Sequence, residues 1–212
     1  VKSRPLTIRK DIFKGSVIVN SSKKVLMFTP VSCWGGGVVE YINSLKVYLG
    51  NSIDFENFYI GRRKGSGTST FSSIFITLLD AIRLTKNLYK ERYDVIHINP
   101  SLDKKSILRD GIFLLILRFM RVKKSLVFIH GWNKKDVKNL HSSSLKRLLF
   151  KQTFGSATLI SVLANEFKHE LVKLGINENK IIVSTTMYDN SILNNEDDVK
   201  IEDGLRIAFM SR

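Results

Sequence analysis

The chain of 212 residues is 43% hydrophobic and 25% charged, which is typical of one globular domain with a sizeable core. Its 34 lysine and arginine residues exceed its 19 aspartate and glutamate residues, and the net charge of +15 favours nucleic acid, an anionic membrane face or a phosphate-bearing substrate as partner. A single cysteine, Cys33, excludes an intrachain disulfide and a cysteine-based metal cluster.

The sequence contains no candidate signal peptide and no candidate membrane-spanning helix. Residues 1–24 are basic and polar, without the apolar stretch of a signal peptide. The most apolar run, 112–117, is far shorter than the ~20 residues that a spanning helix needs, and Arg118 ends it. Together with the lone cysteine, this predicts a reducing, cytoplasmic location, with peripheral attachment to the inner face of the cell membrane as a further expectation.

Short apolar runs alternate with helical patterns along the chain. After an N-terminal extension (1–23), the runs that predict strands are 24–29, 55–60, 94–98, 125–129, 158–163 and 180–184. The segments that predict helices are 38–49, 71–89, 106–120, 145–154 and 165–174. Residues 61–70 are basic and then rich in Gly, Ser and Thr, which predicts a mobile loop.

The strand runs are continuously apolar rather than alternating. This pattern favours a parallel sheet that is covered on both faces. The sequence therefore predicts an α/β, Rossmann-like, doubly wound and mostly parallel fold, in a single domain over residues 24–193.

The end of the chain predicts a linker and the start of a second domain. Residues 194–203 are acidic and polar, and a new β-like run follows at 205–210. We therefore assign 194–212 to a linker and the first strand of a C-terminal domain that this sequence lacks. The alternative is an extra edge strand of the same sheet.

A glycine-rich turn, residues 30–37, follows the first predicted strand and precedes a helix. Its consecutive Gly35, Gly36 and Gly37 would let backbone N–H groups approach an anionic ligand at the positive end of that helix. Neither the dinucleotide-binding glycine pattern nor a Walker A loop is present. The alternative is a tight turn in which glycine is needed only sterically.

Two further turns follow predicted strands, where open α/β sheets bind their ligands. Asn99 and Ser101 are small polar groups suited to recognising hydroxyls. His130 precedes Gly131 and Trp132; it can donate to a phosphate or sugar oxygen and titrates near neutral pH. The alternative is a histidine that only caps its strand, but Gly131 is expected to keep the neighbouring backbone bare and open.

The remaining histidines do not extend this set of candidate residues. His97 lies within a predicted strand and is expected to be a core residue with its hydrogen bonds satisfied, and His141 and His169 are expected on the surface. No His, Asp or Glu residues have metal-ligand spacing, and no serine nucleophile turn occurs. No metal and no cofactor are therefore expected.

Four stretches resemble the N-terminal domain of family 4 retaining glycosyltransferases, which have the GT-B fold. They are GGGVVE at 35–40, YDVIH at 93–97, FIHGW at 128–132 and the unit from 159 to 183. They occur in the family's order, and 205–212 is similar to the strand that opens the C-terminal domain of these enzymes. The resemblance covers residues 24–212.

The resemblance implies that a sugar passes from a nucleotide-sugar to a glycan or lipid-linked acceptor of the cell envelope, with retention at the anomeric carbon. It places the acceptor on this domain and the nucleotide on the absent C-terminal Rossmann domain, so these residues alone are expected to be inactive. It also implies that Gly35–Gly37 approach the donor diphosphate or the acceptor across the cleft, and that His130 reaches the reacting sugar, where it stabilises developing charge.

Two positions depart from the family pattern. Ala164 replaces a small polar residue, which removes a hydroxyl contact. Residues 185–189, TTMYD, replace the common Asn-Gly turn and change the edge of the expected cleft.

Basic residues support an alternative function, a non-catalytic Rossmann-like module that binds anionic lipid or nucleic acid. One cluster surrounds the apolar run 112–117 and another spans 134–151. A basic helix at 107–120 can lie on an anionic membrane, but packing of its apolar side on the sheet is favoured for this helix, because a doubly wound sheet must cover both faces. Nucleic acid is disfavoured because aromatic residues do not alternate with the basic clusters. A dehydrogenase is disfavoured by the missing glycine pattern.

Overall fold

The computed structural model describes residues 23–31, 36–50, 52–61 and 70–186. Gly35, most of the N-terminal extension, most of the predicted loop at 61–70 and the predicted linker and strand at 194–212 lie outside the described residues.

Eight strands and six α-helices make up the described chain. The strands are β1 (Lys23–Pro30), β2 (Ile53–Ile60), β3 (Val95–Ile98), β4 (Ser101–Leu102), β5 (Ser125–Phe128), β6 (Gly131–Trp132), β7 (Leu159–Val162) and β8 (Ile181–Val183). The helices are α1 (Gly37–Leu49), α2 (Thr70–Lys90), α3 (Lys104–Phe119), α4 (Lys134–His141), α5 (Ser144–Thr153) and α6 (Asn165–Lys173). Short 3-10 turns occupy 154–156 and 178–180.

Six strands form one sheet in the order β2-β1-β3-β5-β7-β8, and every pairing in it is parallel. The predicted α/β, Rossmann-like fold is thus confirmed, as are all six predicted strands and all five predicted helices. The first strand begins at Lys23, one residue before the predicted domain boundary. The helix α4 and the two-residue strands β4 and β6 were not predicted from the sequence.

The continuous apolar runs are explained by burial on both faces of the sheet. In β1, Leu26, Met27 and Phe28 are all completely buried. Leu26 and Phe28 face the layer that contains α2, α3, α5 and α6, whereas Met27 packs under α1 with its Tyr41. Because successive strand residues point to opposite faces, both sets must be apolar.

The α3 helix is part of the core. Asp103 caps its N-terminus by accepting the N–H groups of Lys105 and Ser106, each at 3.0 Å. The apolar side chains Phe113 and Leu114 are buried against the sheet. The favoured interpretation of the helix at 107–120, in which its apolar side packs on the sheet, is therefore confirmed.

The strand order creates a switch point between β1 and β3. From β1 the chain crosses through α1 to β2 on one side, and from β2 it returns through α2 to β3 on the other side of β1. The chain therefore leaves β1 and β3 in opposite directions across the sheet. Ligands of open parallel sheets bind at such switch points, at the carboxyl ends of the strands.

Candidate functional site

The switch point brings together two residues from the predicted turns. Asn99 follows β3, and its Nδ2 donates to the carbonyl oxygen of Phe28 in β1 at 3.0 Å. His130 follows β5, and its Nε2 lies 3.1 Å from Oδ1 of Asn99. The adjacency of β1, β3 and β5 in the sheet explains why residues so distant in sequence meet here.

Tyr41 completes this group and was missed by the sequence analysis. It lies in the second turn of α1, and its ring is 5.0 Å from that of Phe128, 4.9 Å from that of His130 and 6.0 Å from that of His97. Burial raises the pKa of Tyr41 to about 12, so its phenol stays protonated at neutral pH. The sequence feature that could have indicated Tyr41 is an aromatic residue one turn after the start of a helix that follows a glycine-rich turn.

His130 is neutral in this environment. Burial lowers its pKa to about 4, so the expectation that it titrates near neutral pH is wrong. The amide of Asn99 is oriented by its bond to Phe28, which turns its oxygen towards the imidazole. The neutral ring must therefore carry its proton on Nε2, and this leaves Nδ1 as the hydrogen-bond acceptor.

His97 is buried but not satisfied. It is 3% exposed, and its Nε2 has no hydrogen-bond partner among the described residues. Burial, with a smaller contribution from the neighbouring His130, lowers its pKa to about 3. The expectation of a core histidine is confirmed, whereas the expectation that its hydrogen bonds are met within the described chain is not.

The end of the glycine-rich turn leads directly into α1. Gly36 has φ 126°, a conformation that side chains rarely adopt, and its carbonyl accepts the N–H groups of Val39 and Glu40. A Cβ on Gly37 would meet nothing within 4 Å. A purely steric need for glycine therefore explains Gly36, but it does not explain Gly37. Within the described part of the turn, no side chain caps this helix end.

Ser101 and Gly131 are paired across a second, two-stranded parallel sheet formed by β4 and β6. A Cβ on Gly131 would lie 2.3 Å from Oγ and 2.8 Å from Cβ of Ser101. Glycine is required here because Ser101 covers it, so the expectation of a bare and open backbone at Gly131 is wrong. The next residue, Trp132, stacks on Phe167 with ring centroids 4.2 Å apart.

A shallow polar pocket adjoins this pair, between the starts of α3 and α4. The residues that line it are Ser101, Asp103, Gly131, Trp132, Asn133 and Lys134. Asp103 and Asn133 each accept two backbone N–H groups of the helix that they cap. Their oxygens are therefore engaged by the protein, and the pocket is secondary to the group around His130.

The described residues contain neither a candidate metal site nor a candidate membrane-spanning helix. No group of three or more His, Cys, Asp or Glu side chains could hold a metal ion there. No described helix is both long and apolar enough to cross a bilayer.

Comparison with protein-family models gives no match, and neither does comparison with curated protein sequences. Solved structures do match. MnaA of S. aureus, in a co-structure with UDP, is 15% identical with a TM-score of 0.51 over 77% of this chain and 44% of its own. A UDP-N-acetylglucosamine 2-epimerase is 13% identical with a TM-score of 0.53 over 77% and 46%.

The described domain is one Rossmann-like half of a GT-B fold. The chain spans less than half the length of each of these two proteins. A further match is the lipopolysaccharide outer core galactosyltransferase WaaB in its apo form, at 15% identity and a TM-score of 0.44, over 76% of this chain and 44% of its own.

Proposed function

We propose that these residues form the acceptor-side half of a retaining glycosyltransferase, which moves a sugar from a nucleotide-sugar to a cell-envelope or polysaccharide acceptor. The observation that carries the proposal is the group of Tyr41, Asn99 and His130 at the switch point of the sheet. A GT-B fold supports it, and the UDP bound to S. aureus MnaA supports a nucleotide-sugar as the substrate.

His130 is the residue that touches the reacting groups in this proposal. Its Nε2–H is donated to Asn99, so an acceptor hydroxyl can donate its hydrogen to Nδ1. As the hydroxyl oxygen bonds to the anomeric carbon, the bond from that carbon to the diphosphate breaks and the nucleoside diphosphate leaves. The hydroxyl proton passes through Nδ1 to the departing diphosphate, and the ring stabilises the positive charge that develops. Asn99 acts through His130 and is a positioning residue.

The donor is held mainly by a second Rossmann domain. On this side of the cleft, the glycine turn that ends in Gly36 and Gly37 presents the positive end of α1 to a diphosphate, with Gly35 as its third glycine. No metal is required in this proposal, so turnover should persist in EDTA. The 212 residues alone should bind an acceptor weakly and catalyse little.

The test is a transfer assay on the full-length protein that contains these residues, with a panel of nucleotide-sugars and glycan or lipid-linked acceptors. We expect acceptor-dependent release of a nucleoside diphosphate. His130→Ala should lower kcat about 10²-fold or more, since general base catalysis contributes on that order. His169→Ala, on the exposed side of α6, is the matched control and should retain full activity.

Undiminished turnover in His130→Ala would remove His130 from the mechanism. If the sugar of the nucleotide-sugar changes in the absence of any acceptor, the activity is epimerisation and the proposed transfer is wrong. Binding without turnover of any nucleotide-sugar would favour the non-catalytic module instead.

A further inference from the structure

One surface of the domain is unusually apolar. The helices α2, α3 and α5 pack side by side, with α3 in contact with both others, on the same face of the sheet. We call the solvent side of these three helices the outer helical face. Twelve of the eighteen large hydrophobic side chains that are exposed in the described residues lie on these three helices. Monomers rarely expose so much apolar surface without a partner.

The α2 helix carries the largest part of this surface. Its exposed apolar residues recur with helical spacing, on the side opposite the buried Asp80 and Leu84. They are Phe71, Ile74, Phe75, Leu78, Leu79 and Ile82. A stripe of this kind normally faces a core, but here it faces solvent.

The first half of α2 extends past the sheet. Oδ2 of Asp80 accepts the N–H of Gly61 at 3.1 Å, so Asp80 lies level with the carboxyl end of β2. The helix before Asp80 runs ~15 Å further at 1.5 Å per residue. No side chain from 71 to 79 is buried. This apolar overhang therefore stands at the same edge of the sheet as the switch point.

The charges of the outer helical face have one sign. The three helices contain only two carboxylates, Asp80 and Asp110, and both are completely buried. The exposed cations include Lys86 and Lys90 on α2, Lys104 and Lys105 on α3, and Lys146 and Arg147 on α5. In α5 these cations alternate with the exposed Leu145, Leu148 and Leu149.

We propose that the outer helical face docks on an anionic membrane surface. Apolar side chains of an interfacial helix insert at the boundary of headgroups and acyl chains, while cations pair with anionic headgroups. Docking of a second copy through this face would bring like charges together without any exposed carboxylate to pair them. The inference does not depend on the catalytic proposal. The contact is mainly that of α2, and α3, which corresponds to the predicted helix at 107–120, contributes its exposed solvent side and not the apolar side that packs on the sheet.

The test is co-sedimentation of the chain with vesicles of phosphatidylcholine alone or with added phosphatidylglycerol, at low and high salt. We expect binding to the anionic vesicles that weakens with salt, because salt screens the exposed cations. The double variant Lys86→Gln/Lys90→Gln should bind about 25-fold more weakly, at about fivefold per cation. The control Lys123→Gln/Lys124→Gln, outside these helices, should bind nearly as well as the wild type.

The apolar contribution is tested by Phe71→Ser/Phe75→Ser/Leu78→Ser, which should abolish vesicle binding and leave the circular dichroism spectrum unchanged, since none of these side chains is buried. Its control is Val47→Ser/Tyr48→Ser on α1, which lies on the opposite face of the sheet. Binding that is equal for both vesicle types, or equal loss in both apolar variants, would overturn the proposal. Concentration-dependent dimerisation that the triple variant removes, without vesicle binding, would also overturn it.

Discussion

The imidazole of His130 and the amide of Asn99 lie 3.1 Å apart, and the amide is fixed from its other side by the carbonyl of Phe28. Three adjacent strands therefore determine where the proton of a neutral histidine resides. A histidine whose tautomer is fixed in this way accepts a hydrogen bond from its ligand and does not donate one.

Asn99→Asp should raise the pKa of His130 from about 4 towards its ordinary range. A carboxylate beside Nε2 favours the charged imidazolium, which the neutral amide does not. The measurement is a pH titration of the histidine ring signals by NMR. Asn179→Asp, at an exposed turn, is the control and should leave His130 unchanged. An unchanged pKa in Asn99→Asp would show that the two side chains are not in contact.

Acid should destabilise the domain through its buried histidines. The pKa values of His97 and His130 lie near 3 and 4, below the 6.5 expected for the unfolded chain. The unfolded state therefore binds more protons below pH 6.5, and stability is lost as the pH falls from there towards the folded values. For His97 the slope is about 1.4 kcal/mol per pH unit.

The measurement is urea unfolding at several pH values between 4 and 7. His97→Phe has a ring of similar shape that takes up no proton, so its stability should depend less steeply on pH than that of the wild type. His169→Gln, at an exposed position, should follow the wild type. An identical pH dependence in His97→Phe would contradict the assignment.

Gly131→Ala should destabilise the domain by about 1–3 kcal/mol, because its Cβ would overlap Ser101. The second substitution Ser101→Gly removes the overlapping side chain and should recover most of the loss. Gly37→Ala has open space around its Cβ and serves as the control. Chemical denaturation measures the wild type, Gly131→Ala, Ser101→Gly, their double variant and the control, and additive effects of the two substitutions would refute the pairing of β4 with β6.

Asp110→Ala should destabilise the domain by about 3–5 kcal/mol. Asp110 is completely buried and accepts two hydrogen bonds from the Arg109 guanidinium, each at 2.8 Å, so its loss leaves a partly buried cation without this partner. The double variant Arg109→Met/Asp110→Leu should recover most of that stability. Glu178→Ala breaks an ion pair whose carboxylate is exposed, and it should cost less than about 1 kcal/mol. Thermal and urea unfolding give the comparison.

The sheet was predictable from the sequence because its strands are buried on both faces and leave a continuous apolar signal. By contrast, α4 was not predicted, because only Val137 and Leu140 are buried among its eight residues. The two-residue strands β4 and β6 are too short to show any periodicity. The assignment of 194–212, the retaining chemistry and the family 4 membership stay predictions.

The candidate site was only partly predictable. Asn99 and His130 were expected at one edge of the sheet because carboxyl ends of parallel strands meet there. The contact between them, and the place of Tyr41 beside both, depend on side-chain directions that spacing does not encode. The low pKa of His130 depends on burial, to which the ring of Tyr41 contributes from helix α1, distant in the sequence.

The small sheet of β4 and β6 ties the segment after β3 to the segment after β5, and backbone bonds from His130 to Pro100 and from Asn133 to Leu102 reinforce it. Ordering a free loop costs about 1–2 kcal/mol per residue when a ligand arrives. Here that ordering is complete before any ligand binds. Affinity at this edge should therefore depend on fit to a rigid surface, and small changes in ligand shape should alter it sharply.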